Sequence, residues 1–199
     1  MIVLVGALAL LILAAPAMSE TSADYSGEIQ SPVVNGGAYS NYQTIFVHGT
    51  NAETELPDPD VSQVTDIGWG HVTKLYSTGE FSTRNCFIHT PIPSYEKSTG
   101  GIQPAVRYLA LVYSTDSYST GTLGVGIKGI DVYNGFTKVK PITYTIKQKT
   151  GGTYQILIVD LGKYYTFDRG LSMAVYIDSD YSSQTTTFTL AGYGARFEW

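Results

Sequence analysis

Asn85-Cys86-Phe87-Ile88-His89-Thr90-Pro91-Ile92-Pro93 and Ala105-Val106-Arg107-Tyr108-Leu109-Ala110-Leu111-Val112-Tyr113 decide the fold of this chain. The first reads as a buried strand that runs into a Pro-x-Pro exit, where proline withholds the N–H a ladder needs. The second is the most continuous internal apolar run. Such a pair is expected at the centre of a β-sandwich, with the remaining strands added around it.

Outward from this pair, short runs of alternating polarity recur on both sides. Thr44–His48 is stopped by Gly49. Val61–Trp69 and His71–Tyr76 are separated by Gly68-Trp69-Gly70, where glycines flanking an indole suggest a bulge or tight bend. Leu123, Val125 and Ile127 are apolar on one phase and Ile130 and Val132 on the other, as a bulge at Gly129 would produce. Asn134-Gly135 is a hairpin signal. Phe136–Lys147 carries Pro141 and is read as an edge or broken strand. Tyr154–Leu161, Leu171–Asp178 and Thr185–Trp199 complete the set. A period of two lets each strand bury one face only, so two sheets must face each other. The fold class expected is all-β, a two-sheet sandwich or jelly roll.

The 199 residues divide into three parts: an apolar segment at 1–18, a polar linker or arm at 19–43, and the sandwich at 44–199. Met1–Met18 is uncharged and rich in Leu, Ala, Val and Ile, with the first charge at Glu20. It reads either as a secretory signal peptide, although no basic residue precedes it, or as a retained hydrophobic helix. The arm, whose one apolar pair is Val33-Val34, is either a solvated leader or a strand donated to another copy's sheet edge.

Charged residues are only 15% of the chain, and the net charge is -5. That leaves solubility to Ser, Thr, Gly, Asn and 16 tyrosine hydroxyls, and it suits an extracellular β-protein. No basic stripe exists to meet phosphates, so nucleic acid is not an expected partner. The single cysteine, Cys86, excludes an intrachain disulfide and reads as a buried small hydrophobe rather than a catalytic thiol.

Read in order, His48-Gly49, Gly68-Trp69-Gly70, Phe87–Pro93, Ile130-Asp131-Val132-Tyr133-Asn134-Gly135, Gly170-Leu171-Ser172 and Ala191–Phe197 form a pattern. It resembles a family of small prokaryotic β-sandwich proteins of uncharacterised function. That family shares HG, GWG, F-H-x-P-I-P, V-x-V-Y-D-G and A-G-A-x-F landmarks over about residues 45–199. The chain departs from the pattern in Ile88, between Phe87 and His89, and in Asn134, where Asp is usual. The resemblance implies the sandwich and leaves activity open. The layout, an apolar segment ahead of a sandwich, is also similar to filament subunits of archaea and bacteria.

No residue set signals catalysis, a cofactor or a metal. His48, His71 and His89 lack compact metal-ligand spacing and are read as hydrogen-bonding strand residues. Asp58-Pro59-Asp60 and Asp178-Ser179-Asp180 are D-x-D patterns that calcium could use, but such pairs are common by chance and are read as solvated turns. No serine sits in a G-x-S-x-G elbow. The aromatics carry more weight: Trp69 together with Tyr108, Tyr113, Tyr118, Tyr133, Tyr144, Tyr154, Tyr164, Tyr165, Tyr176 and Tyr181. Exposed members of this set would stack on sugars or dominate a protein interface, while half-buried ones would be ordinary strand residues.

The leading expectation is therefore an exported or cell-surface, non-enzymatic protein that associates with copies of itself, as a filament or layer subunit. In that reading it meets a membrane only through residues 1–18. The alternative is a secreted module that binds carbohydrate or another surface through Trp69 and exposed tyrosines.

Overall fold

The structure, a computed structural model, describes residues 39, 41–55, 62–76, 84–94, 101, 103–117, 125–144, 152–179 and 185–199. Eleven strands fill them: β1 (Tyr42–His48), β2 (Glu53–Thr54), β3 (Ser62–Ile67), β4 (Gly70–Leu75), β5 (Arg84–Ile92), β6 (Ala105–Ser117), β7 (Val125–Asn134), β8 (Thr137–Thr143), β9 (Gln155–Thr166), β10 (Leu171–Ser179) and β11 (Thr186–Glu198). The six-stranded sheet runs β3-β4-β11-β6-β9, with β1 also paired to β11, and the five-stranded sheet runs β2-β5-β10-β7-β8. Every pair is antiparallel. The expected all-β two-sheet sandwich is what the chain forms. Among the described residues no helix is long and apolar enough to cross a membrane.

Alternation accounts for the core. β10 sends Leu171, Met173, Val175 and Ile177 inward, and β11 sends Phe188 and Leu190, then Tyr193, Ala195 and Phe197 after a register shift at Leu190/Gly192. Each such side chain contributes roughly 1.5–3 kcal/mol by leaving water. Tyr113 stacks on Phe188 inside this core, with ring centroids 5.6 Å apart. The bulge expected near Gly129 falls opposite Tyr176/Ile177 of β10. The Asn134-Gly135 hairpin joins β7 to β8, and β8 is the edge strand that its Pro141 requires.

Three expectations need correction. The stretches 85–93 and 105–113 do not form a central pair: β5 lies in one sheet and β6 in the other. Their apolar residues belong to one shared core instead, Ile88 and Ile92 from β5 and Leu109 and Leu111 from β6. Alternation reveals which residues face the core but not which strand pairs with which. The central strands are β10 and β11, each flanked on both sides. β1 begins at Tyr42, inside the stretch assigned to the arm, and Asn41 is tied to Trp199 by two backbone bonds of 3.0 Å. The acidic, Pro-punctuated stretch Asn51–Pro59 reads as a loop in the sequence, yet it contains a short strand, β2, paired to His89 and Ile88.

Gly49 and Gly70 come together at one point on β11. β4 pairs with its first half, Thr186–Leu190, and β1 with its second, Gly192–Glu198. At the junction, His48 caps a 3-10 turn, Gly49–Asn51, that carries the chain toward β2 in the opposite sheet. Gly49 and Gly70 both press on the carbonyl of Leu190; a Cβ on Gly70 would lie 2.6 Å from that oxygen, and one on Gly49 closer still.

Candidate ligand-binding face

The histidines do not converge. His48 is exposed and takes its Nδ1 to Thr50 Oγ1 at 3.0 Å. His89 is exposed, with Nε2 3.5 Å from Glu55 Oε2. His71 is buried, its Nδ1 2.7 Å from Asp66 Oδ1 and its Nε2 2.7 Å from Thr54 Oγ1. The Asp66 contact assigns the proton to Nδ1, so the Thr54 hydroxyl donates to Nε2. Asp66 and His71 belong to the six-stranded sheet and Thr54 to the other, which makes this chain of bonds a clamp across the sandwich edge. Removing His71 leaves the half-buried Thr54 hydroxyl only its 3.4 Å contact with Thr73 Oγ1 and opens a gap. The expected cost of His71→Ala is about 2 kcal/mol, measurable as a lower urea midpoint with unchanged slope.

Cys86 packs against the core, and burial pushes its thiol up to about 12. Burial thus keeps the thiolate scarce near neutral pH, so a maleimide is expected to label the native chain far more slowly than the urea-unfolded one. Asp178 is buried and ion-paired to Lys128. Asp58, Asp60 and Asp180 lie outside the described residues, as do Tyr118 and Tyr181. Among the described residues no three His, Cys, Asp or Glu side chains gather as a metal site would require.

The aromatic candidates separate by place. Tyr113 and Tyr144 are core residues. Tyr165 packs near Phe167 at 6.4 Å between centroids. On the outer face of the five-stranded sheet, Tyr176 stacks on Phe87 at 4.9 Å, and Lys138 sits 5.9 Å over the Tyr133 ring. Trp69 stands exposed on the β3–β4 turn, and Tyr154 on the first residues leading into β9. Phe136, 87% exposed, tips the β7–β8 hairpin with the Arg169 guanidinium 5.9 Å from its ring.

Tyr108 and Tyr164 instead belong to a constellation on the outer face of the six-stranded sheet. Tyr193, Ala195 and Phe197 point into the core, so Arg196 and Glu198 point out. The register sets Arg196 between Thr44 and Tyr108, Tyr108 beside Asp160, and Glu198 beside Tyr42. A register shift between Val106 and Tyr108 turns Arg107 to this side as well, where its Nε and Nη2 each donate to Asp160 at 2.9 Å. The Arg107 guanidinium also lies 5.2 Å from the Tyr108 ring, and Arg196 4.3 Å from the Tyr42 ring. Tyr164 donates its hydroxyl to Glu198 Oε2 at 3.0 Å, and Tyr39 meets Tyr164 edge-on at 4.8 Å between centroids.

The electrostatics follow from this packing. Glu198 is only 5% exposed although it stands on the solvent side of its sheet. Arg196 Nε is 3.1 Å from Glu198 Oε1, but off the hydrogen-bond line, so the pair is held by charge and neither atom has a hydrogen-bond partner. Burial first, then the hydrogen bond and charge of Glu198, push the Tyr164 phenol up to about 12. Burial and the Asp160 charge raise Tyr108. The Asp160 hydrogen bond, acting against desolvation, raises Arg107. The face therefore presents neutral phenols over two guanidinium–carboxylate pairs. Tyr39 and Tyr42 are its most exposed rings, at 40% and 43%.

Of this set, sequence reasoning named only Tyr108 and Tyr164. It assigned Tyr39 and Tyr42 to the arm and passed over Arg107, Asp160, Arg196 and Glu198. The one available signal was Arg107, a charge inside the most continuous internal apolar run of the chain.

No family model and no curated protein sequence matches the chain. Similarity to solved structures is remote. TmCBM61, solved in complex with β-1,4-galactotriose, is 8% identical over 87% of this chain and 99% of its own, with a TM-score of 0.37. The carbohydrate-binding module TmCBM27, described for specific mannan recognition, is 11% identical over 80% of this chain and 100% of its own, at 0.41. A structure of infectious bursal disease virus, Gt strain, is 13% identical over 81% of this chain and 33% of its own, at 0.39.

Proposed function

We propose that the chain is an exported, non-enzymatic binding module that holds a carbohydrate on the outer face of its six-stranded sheet. Sugars combine two surfaces, patches of C–H that pack on aromatic rings and pairs of hydroxyls that bridge planar charged groups. The face offers both. Tyr39 and Tyr42 supply rings in reach of solvent, and Arg107–Asp160 and Arg196–Glu198 supply planar donors and acceptors beside them. Tyrosine suits the role because it presents large, stiff area with few rotors to freeze.

The observation that carries the proposal is the state of Glu198. A carboxylate on the solvent side of a sheet is ordinarily hydrated, since burying a charge is costly. Here it is buried among tyrosines with one oxygen lacking a hydrogen-bond partner. The pair is thereby held rigidly beneath the exposed Tyr42 ring, and a preorganised charge pair beside an exposed aromatic ring suits a face that fixes polar ligands.

Self-association was the leading expectation, and it drew its contacts from residues 1–18 and 20–42. Of these, 1–38 and 40 lie outside the described residues. The binding reading rests on described side chains and is preferred for that reason. The test is a glycan array probed with the full chain, alongside sedimentation velocity. Glycan binding by a non-assembling chain is the expected result. Fibres or large assemblies with no glycan binding would return the account to self-association.

A further inference from the structure

The charge balance of the same face bears on which carbohydrates it takes. It carries two cations, Arg107 and Arg196, and two anions, Asp160 and Glu198, and each cation is matched by one anion within 3.1 Å. Asp160 Oδ1 accepts a further bond from the Gly162 N–H at 2.8 Å. The next cation along β9, Lys163, lies 5.0 Å over the Tyr165 ring. The chain as a whole is acidic, with net charge -5.

We infer that the face selects uncharged glycans over uronate-bearing or sulfated ones, because both of its guanidinium groups are already neutralised in place. This rests on the carbohydrate-binding reading. An anionic sugar would have to displace Asp160 from Arg107 or Glu198 from Arg196, leaving a carboxylate unpaired beside a second negative charge. A neutral sugar leaves both pairs intact and adds hydroxyl bonds to their outer edges. The ion pairs act as a filter against anions as well as a hydrogen-bonding rail.

Affinity electrophoresis and calorimetry with the full chain test this, using β-1,4-galactan, mannan and a neutral β-glucan against polygalacturonate and a sulfated galactan. The wild-type chain is expected to bind at least one neutral polymer and to show no retardation by the anionic ones. Asp160→Asn, nearly isosteric, unmatches Arg107; polygalacturonate affinity is expected to rise about tenfold or more, with a steep salt dependence. Arg107→Gln combined with Asp160→Asn restores neutrality and is expected to remove that gain. Should Asp160→Asn fail to fold, Glu198→Gln makes the same comparison at Arg196, and the wild-type ranking decides in any case. Wild-type binding to polygalacturonate as tight as to the neutral polymers would overturn the inference while leaving carbohydrate binding standing. Binding to none of the polymers would defeat the binding reading itself.

Discussion

Truncating Tyr42 to alanine is expected to weaken carbohydrate binding by about 30-fold or more, the equivalent of about 2 kcal/mol lost at an aromatic anchor. Two effects add. The ring is 43% exposed and offers a face on which a sugar can stack. It also lies directly across the ladder from Glu198 and 4.3 Å from the Arg196 guanidinium, so its loss admits water to the ion pair beneath. Water weakens the pair's field and its hold on geometry. Tyr42→Phe keeps the ring and is expected to stay within about threefold of wild type, which separates stacking from the hydroxyl. Titration calorimetry with the tightest-binding neutral oligosaccharide measures both variants. Trp69→Ala supplies the contrast: Trp69 is exposed on the β3–β4 turn, outside the constellation, and its loss is expected to leave affinity unchanged. The opposite ranking of Tyr42 and Trp69 would move the site off this face.

Gly49→Ala is expected to be the most destabilising small substitution among those considered, at about 3 kcal/mol or more. For a domain of this size that is roughly a 6–12 °C fall in Tm. The new methyl group has nowhere to go. Gly49 is buried, and its Cβ would fall on the Leu190 carbonyl, backbone that is held by the β4, β6 and β1 ladders around the register shift of β11. Relief requires moving the 3-10 turn that carries the chain to β2, and with it Thr54, the far end of the His71 clamp. Gly68→Ala is the control. It lies in the neighbouring GWG turn, but a Cβ there would meet nothing within 4 Å, so a change within about 0.5 kcal/mol is expected. Differential scanning calorimetry of the two variants reads the contrast directly.

The sandwich was legible because its signal is local. Val125, Ile127, Ile130 and Val132 announce a strand, its buried face and its bulge within eight residues, and Pro141 announces an edge. What stayed hidden depends on pairing. The assignment of β5 and β6 to opposite sheets cannot be read from side chains that alternate identically in either arrangement. Gly49 and Gly70 can be read as turn glycines, yet the Leu190 carbonyl on which both press lies more than a hundred positions away along the chain.

The candidate face was harder still. Arg107 and Asp160 are 53 positions apart and meet only because β6 and β9 are neighbours in a shifted register. Tyr108 and Tyr164 were two names among ten tyrosines, and composition could not separate them from Tyr113 or Tyr144, which are buried. Tyr39 and Tyr42 sit in polar, Gly- and Ser-rich sequence ahead of the run read as a strand from Thr44; that strand begins two residues earlier and completes the six-stranded sheet. Its inward residues, Ile45 and Val47, pack against the core, whereas the residues before Thr44 show no apolar period of their own.

Backbone amide chemical shifts of the 15N-labelled chain, titrated with a neutral oligosaccharide, test the central claim most directly. The account predicts saturable shifts clustered at Tyr39, Tyr42, Tyr108, Asp160, Tyr164, Arg196 and Glu198, with the Trp69 turn and the Phe87–Tyr176 face unmoved. Shifts confined to those other surfaces, or none at all with every glycan that the array offers, would contradict it.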